Sequence, residues 1–347
     1  MQKVRAEIYL KNIQNNARVF KTLCGVSLCA VVKADAYGHG AERVACALER
    51  IADCFAVSIL DEAIKIRTAV CGKDIIILTP PTSENEICLA AKNGFIISVG
   101  DLSCAKLVEK TARLSQTLVR VHLKVNTGMN RYGMDINTLE RVCKLFTGKN
   151  RVCVEGLYSH IYGETKESAE LQRKRFEKMR KIAKSFFEDI RCHLSATLGA
   201  LLGHEYHYDM VRIGIGLYGY LPNGEEKLPL KKAMKVYAQI TATGRYTGGG
   251  VGYGENPTHI KKGERIHVCR FGYADGFLRK RKNGTHGFEK NANNLCMDAC
   301  VRKGYAKKGE WITVLDDAEK TAKITGTIAY EVLCSATRRA TIVYLYE

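Results

Sequence analysis

The sequence predicts an α/β fold: an N-terminal (β/α)8 TIM-like barrel with a C-terminal mainly-β domain. Three observations carry that expectation. Eight short runs rich in β-formers lie between residue 28 and about residue 220, and helix-like segments alternate with them. Their largely apolar character suits parallel strands covered on both faces. After "LPNGEEKLPL" the character changes to β-rich runs separated by turn signals. A chain of 347 residues is long enough for a barrel and a smaller second domain.

The eight units follow in order. "LCAVVK" is followed by "GAERVACALERIA", and "CFAVSI" by "LDEAIKIRTAV". "DIIILT" precedes "SENEICLAAKN", and "FIISVG" precedes "DLSCAKLVEKTARL". "TLVRVHLKVN" leads to "DINTLERVCKLF", and "VCVEGLYSHI" to "SAELQRKRFEKMRKIAKSFF". "RCHLSAT" with "GALLG", then "MVRIGIGLYG", close the series. A doubly wound sheet is the alternative, but no strand is followed by the G-x-G-x-x-G turn of a dinucleotide site. The barrel is therefore assigned to residues 1–228 and the β domain to residues 229–347, with "MKVYAQITATGRYT", "RIHVCRFGY", "EWITVL" and "ATIVYLY" as its strands. The opening "AEIYLKN", within residues 1–10, is a further strand candidate that could belong to the β domain.

Composition narrows the function. An apolar fraction of 46% and a charged fraction of 26% are those of a soluble globular protein. No window approaches eighteen consecutive apolar residues, and the first residues lack a signal-peptide core, so no membrane span and a cytoplasmic location are expected. Fourteen cysteines are scattered without a C-x-x-C pair, which points to reduced thiols and no metal site. The formal charge of +18 raises nucleic acid as a partner, but the basic residues are spread out. The run "LQRKRFEKMRKIAK" has helical spacing and reads as a solvated helix face. Anionic small molecules fit the charge; no nucleic-acid motif is visible.

In a parallel barrel, active sites gather at the carboxyl ends of the strands. Lys33 ends the first predicted strand, Lys124 and Arg131 end or follow the fifth, and His160 ends the sixth. Ser195 and Thr197 end the seventh, and Arg212 lies in the eighth. Any one of these is an ordinary strand-end polar group. Cationic groups from several strands converging on one mouth point to an anionic small molecule. A lysine partly desolvated among cations loses its proton readily and becomes nucleophilic, as Schiff-base chemistry requires. The carbonyl partner could be a substrate, as in an aldolase, or pyridoxal phosphate, and the residues alone leave both open.

The stretch "AVVKADAYGHG" closely resembles the cofactor-lysine motif of alanine racemases. The resemblance continues in order through "VHLKVNTGMNRYG", "GLYSHIYGE", "VRIGIGLYG", "GVGYGE", "GYADGF", "LCMDACV" and "GTIAYEV", over nearly the whole chain. It implies a fold-type III pyridoxal-phosphate enzyme, an amino-acid racemase working as a head-to-tail homodimer with shared active sites. By this resemblance Lys33 holds the pyridoxal 5'-phosphate, and Tyr37, Thr197, Gly214, Ile215 and Tyr330 contact its phosphate. Arg212 resembles the arginine that faces the ring nitrogen, with His160 hydrogen-bonded behind it. Such an arginine stays protonated and keeps the ring a weaker electron sink. Arg131 resembles the arginine beside the substrate carboxylate, and Lys124 a lysine that is carbamylated in many relatives. Racemisation needs proton transfer on both faces of the α-carbon. Lys33 serves one face; the resemblance implies Tyr253, from a second copy of the chain, for the other. Met297 and Asp298 of that copy are implied as backbone donors to the substrate carboxylate. Tyr273, near Asp275 and Arg279, is implied as a gate in the access corridor.

The pattern departs from the family at Ala196, where an asparagine is usual, at Asn126, where an aspartate is common, and at Asn294, often an arginine. These changes bear on substrate range. Serine racemases of the same fold tend to carry asparagine where this chain has Tyr330, and a bulky tyrosine there favours alanine. The alternative is therefore a serine or broad-specificity racemase. A non-catalytic pyridoxal-phosphate carrier lacks the β domain and Tyr253. A decarboxylase of the same fold uses a cysteine motif that is not found.

Overall fold

The computed structural model describes residues 3–163, 165–222, 228–253, 260–279 and 295–346. They form two compact units. One comprises Gln14–Ala36 and Ala41–Leu230; the other gathers the chain up to Ile13, Tyr37–Gly40 and the chain from Lys231 on. Asn294, and the segment after Arg279 that precedes Leu295, lie outside the described residues.

The first strand, β1 (Val4–Tyr9), belongs to the second unit. The barrel unit holds β2 (Ser27–Val31), β3 (Cys54–Val57), β4 (Asp74–Ile77), β5 (Ile96–Val99), β6 (Val119–Lys124), β7 (Val152–Tyr158), β8 (Arg191–His193) and β9 (Met210–Ile213). These are the eight strands the apolar runs predict. All neighbours are parallel, in the order β8-β7-β6-β5-β4-β3-β2-β9. The segments around β8 and β9 close the ring through Asp209 N–H to Cys192 O at 3.0 Å and Arg212 N–H to Ser195 O at 3.0 Å. Every residue of β3 and β5 is buried, which is why the sequence shows solid apolar runs there. The helices between strands bury one stripe each; Ala41, Val44, Ala45 and Leu48 do so in Ala41–Leu48. Ser83, Asp101, Asp135 and Thr165 start their helices by accepting an amide three residues on.

A helix that the sequence reading lacks, Leu10–Cys24, precedes β2. Its polar residues hide it, and they are used in packing: Asn16 is buried and donates to Leu217 O at 2.9 Å, and Gln14 donates to Ala47 O at 2.8 Å.

Directly after β2 the chain makes a tight turn over Lys33–Gly38. Ala34, Asp35, Ala36 and Tyr37 all have positive φ, between 51° and 56°. Each non-glycine residue in this left-handed region costs about 1–2 kcal/mol, so the surroundings must hold the turn. Ala34 N–H donates to Glu62 Oε1 at 2.7 Å, and Asp35 Oδ1 accepts from Ala41 N–H at 3.0 Å and pairs with Lys65 at 2.7 Å. Ala34 is exposed, so Ala34→Gly removes the strain with little loss of packing. Set against the entropy glycine adds to the unfolded chain, the expected gain is about 0.5–1 kcal/mol in a urea titration.

In the second unit, β10 (Met234–Arg245), β11 (Arg265–Cys269), β12 (Cys300–Lys303), β13 (Trp311–Leu315) and β14 (Thr341–Leu345) complete a sheet with β1. The order is β12-β11-β10-β1-β14, with β13 also on β10. Strand β1 alternates buried Val4, Ala6 and Ile8 with outward residues, antiparallel to β10 and parallel to β14. Two short helices, Ala318–Thr325 and Ala329–Ala336, depart from the expected run of strands. Asp317 caps the first by accepting from Glu319 and Lys320 N–H.

Candidate active site at the mouth of the parallel barrel

The carboxyl ends of β2, β6, β7, β8 and β9 deliver the predicted polar residues of the barrel unit. Lys33 lies two residues beyond β2 and begins the left-handed turn. Lys124 is the last residue of β6, 8% exposed, with its Nζ 4.3 Å from the centroid of the Tyr158 ring. Among the described residues no carboxylate pairs with it. Burial first, then the charges of Arg212 and Arg131, hold its pKa well below the usual lysine range. Arg131 is exposed on the loop after β6. Asn126 organises that loop: its Oδ1 accepts from Gly128 N–H at 2.9 Å and Asn130 N–H at 3.2 Å.

Arg212 is 3% exposed in β9. Its Nη1 donates to His193 Nδ1 at 2.6 Å and His193 O at 3.2 Å, and its Nη2 to Ser159 O at 2.7 Å and Leu194 O at 3.3 Å. The histidine hydrogen-bonded to this arginine is therefore His193, from β8, and not His160. His160, half-buried just beyond β7, has its pKa held well below the usual histidine range by desolvation and by the charges of Arg212, Lys124, Arg131 and Lys33. His193 carries the stacked ring of Tyr158 at 4.9 Å and 4°. Sequence reasoning missed His193; the only signal was an inward-facing histidine in "RCHLSAT".

Thr197, Gly214 and Ile215 meet at the next strand ends. The Thr197 hydroxyl accepts from Gly214 N–H and Gly216 N–H, both at 3.3 Å. Ala196, where the family pattern favours asparagine, starts the turn Thr197–Ala200 without a side-chain cap. Ser195 donates to Tyr206 O at 2.7 Å and is a buried structural group.

The second unit carries the remaining candidates in three places. Tyr37 and Tyr330 face each other with ring centroids 5.9 Å apart. Burial raises both phenols, Tyr330 to about 12, so both are hydrogen-bonding hydroxyls at neutral pH. Tyr253 stands 75% exposed on a turn anchored by Val251, which packs with Tyr246 and Ile260. Met297 and Asp298 form a turn held by Tyr273 N–H to Cys296 O at 3.1 Å and Ala274 N–H to Met297 O at 3.0 Å. Only glycine fits at 272, because a side chain would strike the carbonyls of Cys296 and Met297. Arg339 donates to Asp298 Oδ1 at 2.8 Å, and Asp275, 1% exposed, accepts from Gly272 N–H at 2.8 Å. Arg279 is exposed.

Two histidines of the barrel interior, His122 and His193, share one electrostatic fate. Burial, reinforced by neighbouring cations, holds both well below the usual histidine range, and lowers His122 from 6.5 to about 3. Above pH 6.5 they are neutral in both folded and unfolded chains and cost nothing. Below it the unfolded chain takes up protons that the folded chain refuses. The urea midpoint is expected to fall steadily as pH drops from about 6.5 toward 4, a loss of several kcal/mol. A midpoint that is flat over this window would show that the rings are protonated in the folded state.

Among the described residues no helix is long and apolar enough to cross a membrane. The family description "Alanine racemase, N-terminal domain" matches residues 8–222, and "Alanine racemase, C-terminal domain" matches residues 233–344. An alanine racemase of Carboxydothermus hydrogenoformans is 34% identical, across 99% of this chain and 100% of its own length. The solved alanine racemase of Clostridium difficile 630 aligns at 29% identity with a TM-score of 0.88, covering 100% of this chain and 97% of that one. An alanine racemase from Bartonella henselae, solved with covalently bound pyridoxal phosphate, shares the fold at 24% identity and a TM-score of 0.88, across 99% of this chain and 100% of that one. Both halves of the chain match in sequence and in architecture, and the chain belongs to the alanine racemase family.

Proposed function

We propose that this chain is a pyridoxal-phosphate-dependent alanine racemase, interconverting L- and D-alanine by a two-base mechanism in a cytoplasmic homodimer. It would thereby supply or consume D-alanine. The observation that carries the reading is Lys33 at a mouth ringed by Lys124, Arg131 and Arg212, beside the Thr197–Gly214 loop. The donor set fits the cofactor: a lysine amine for its aldehyde, a guanidinium for its ring nitrogen, and a hydroxyl with adjacent backbone amides for its phosphate. When bound, the cofactor withdraws electrons from the α-carbon and so acidifies the α-hydrogen.

The chain's own groups do the rest. Lys33 Nζ takes or returns the α-proton on one face. Tyr253 Oη, from a second copy, does so on the other; its 75% exposure in the single chain is what a donated residue requires. Thr197 and the Gly214 and Ile215 amides would hold the phosphate, and the family resemblance adds the hydroxyls of Tyr37 and Tyr330. Arg212 would face the ring nitrogen and, as a guanidinium, keep its own proton. His160 lies beside this group. Arg131 would orient the substrate carboxylate together with the amides of Met297 and Asp298 from the second copy, and Tyr273 would narrow the corridor.

Lys124 is read as the carbamylated lysine, because burial among arginines favours the neutral amine that carbon dioxide needs. Mass spectrometry under non-denaturing conditions should show one added CO2 that Lys124→Ala lacks. Serine racemases of the same fold tend to carry asparagine where this chain has Tyr330, and a bulky tyrosine there favours alanine over serine. A racemase assay on a panel of L-amino acids, read by chiral chromatography, tests the whole reading. Conversion of alanine above serine is expected; no conversion of either sinks it.

A further inference from the structure

Arg212 is buried without a carboxylate among the described residues, so its orientation depends on neutral acceptors. Three of these are backbone carbonyls, fixed by the strands. The fourth, His193 Nδ1, is a side-chain atom whose capacity to accept depends on its tautomer. Arginine only donates, so the 2.6 Å contact requires a lone pair on His193 Nδ1 and places the ring proton on Nε2. That Nε2 lies 3.0 Å from His122 Nδ1. His122 Nδ1 is therefore the acceptor, and the His122 proton sits on its own Nε2. The direction of donation is the same throughout: Arg212 to His193 to His122.

The place for the second ring is built by the backbone. Along β6 and β7 the register shifts between Val121 and His122, so that Val121 pairs with Val154 but His122 with Gly156. The residue passed over, Glu155, instead holds Arg120 at 2.6 Å and 2.8 Å. A Cβ on Gly156 would stand 2.5 Å from the His122 ring. Such a bulge re-aims a side chain, here an imidazole, into the barrel. Beyond it, His122 lines a cavity of about 450 Å³ with Glu155, Asp189 and Arg191, near the starts of β7 and β8 and thus at the end of the barrel away from the mouth.

We propose that His122 is a positioning residue for Arg212: by accepting the His193 Nε2 proton, it holds His193 in the one tautomer that can receive the guanidinium. In the other tautomer two N–H groups would face each other across 2.6 Å, and Arg212 would have to turn. The consequence for rate rests on the reading of Arg212 as the partner of the cofactor's ring nitrogen. The tautomer itself is a property of this chain.

The test uses the holoenzyme labelled with 15N at histidine, and the variants His122→Leu, His122→Asn and His122→Gln. Asparagine offers an oxygen where His122 has Nδ1; glutamine reaches the Nε2 position instead. Long-range proton–nitrogen spectra should show His193 purely as the Nε2–H form in the parent and in His122→Asn, and as a mixture in His122→Leu and His122→Gln. The cofactor's visible spectrum should shift, and kcat fall about tenfold with KM little changed, in the same two variants only. If His122→Leu does not fold, the asparagine and glutamine pair decides alone. A His193 tautomer unchanged in His122→Gln, or an asparagine variant as impaired as the glutamine one, overturns the proposal. A parent protein that racemises nothing would overturn the functional reading, while the tautomer spectra would still decide this one.

Discussion

The Lys33→Ala variant is expected to purify without the yellow colour of the bound cofactor and without racemase activity. Loss of the proton-transferring amine alone removes a factor of about 10²–10⁴, and loss of the covalent anchor adds to it. The fold should not share in the loss. Lys33 stands beyond the end of β2, is only half-buried, and is not among the buried residues of the core. A thermal melt of the cofactor-free protein should therefore move little between parent and variant. Lys33→Arg separates charge from chemistry. It keeps a cation at the mouth but cannot give up its proton or condense with an aldehyde, so it should be as inactive as alanine. A Lys33→Ala protein that keeps its colour and interconverts alanine would end the reading of Lys33 as anchor and base.

The barrel was legible because its strands are covered on both faces. Solid apolar runs such as "CFAV" and "FIISV" need no alternation to be read. Strand β1 was legible only as a strand candidate that could belong to the β domain; the alternation of buried Val4, Ala6 and Ile8 with less buried neighbours is what the structure adds. The helix Leu10–Cys24 was not, because its asparagines and glutamine look like loop residues until their tertiary acceptors are known. The helices Ala318–Thr325 and Ala329–Ala336 are short, and each is anchored more by its packing than by its own propensity.

The candidate site was legible where chemistry meets an end of a strand. Lys33, Lys124 and Arg212 are charges on apolar runs, a conflict visible without coordinates. What the sequence withholds is direction. The glycines of "YGHG" announce a turn, and both have positive φ, yet Ala34 to Tyr37 are left-handed as well, which their side chains do not announce. Neutral histidines inside strands look like any interior polar residue. Only the pairing of β6 with β7, and of the bonds between side chains, makes His122 and His193 a single column beneath Arg212.

The second large effect is expected at Tyr253. Tyr253→Phe should keep the colour and the KM for alanine, and lose about 10²–10⁴-fold in kcat from L-alanine to D-alanine. The ring of Tyr253 lies 75% exposed on a turn held by Val251, so removing one oxygen costs the folded chain almost nothing. All of the loss must then come from proton transfer. Because Lys33 still serves the opposite face, the variant in D2O should continue to exchange the α-hydrogen of D-alanine while failing to invert it. A structural role for Tyr253 predicts parallel losses of exchange and inversion. Mixing the two inactive proteins gives the complementary result. Lys33→Ala chains retain Tyr253, and Tyr253→Phe chains retain Lys33, so a hybrid dimer contains one site with both bases intact. Activity that appears on mixing, and grows with the time allowed for subunits to exchange, requires that the two bases of one site come from different chains. If no mixture regains activity under conditions where exchange is verified, Tyr253 acts within its own chain.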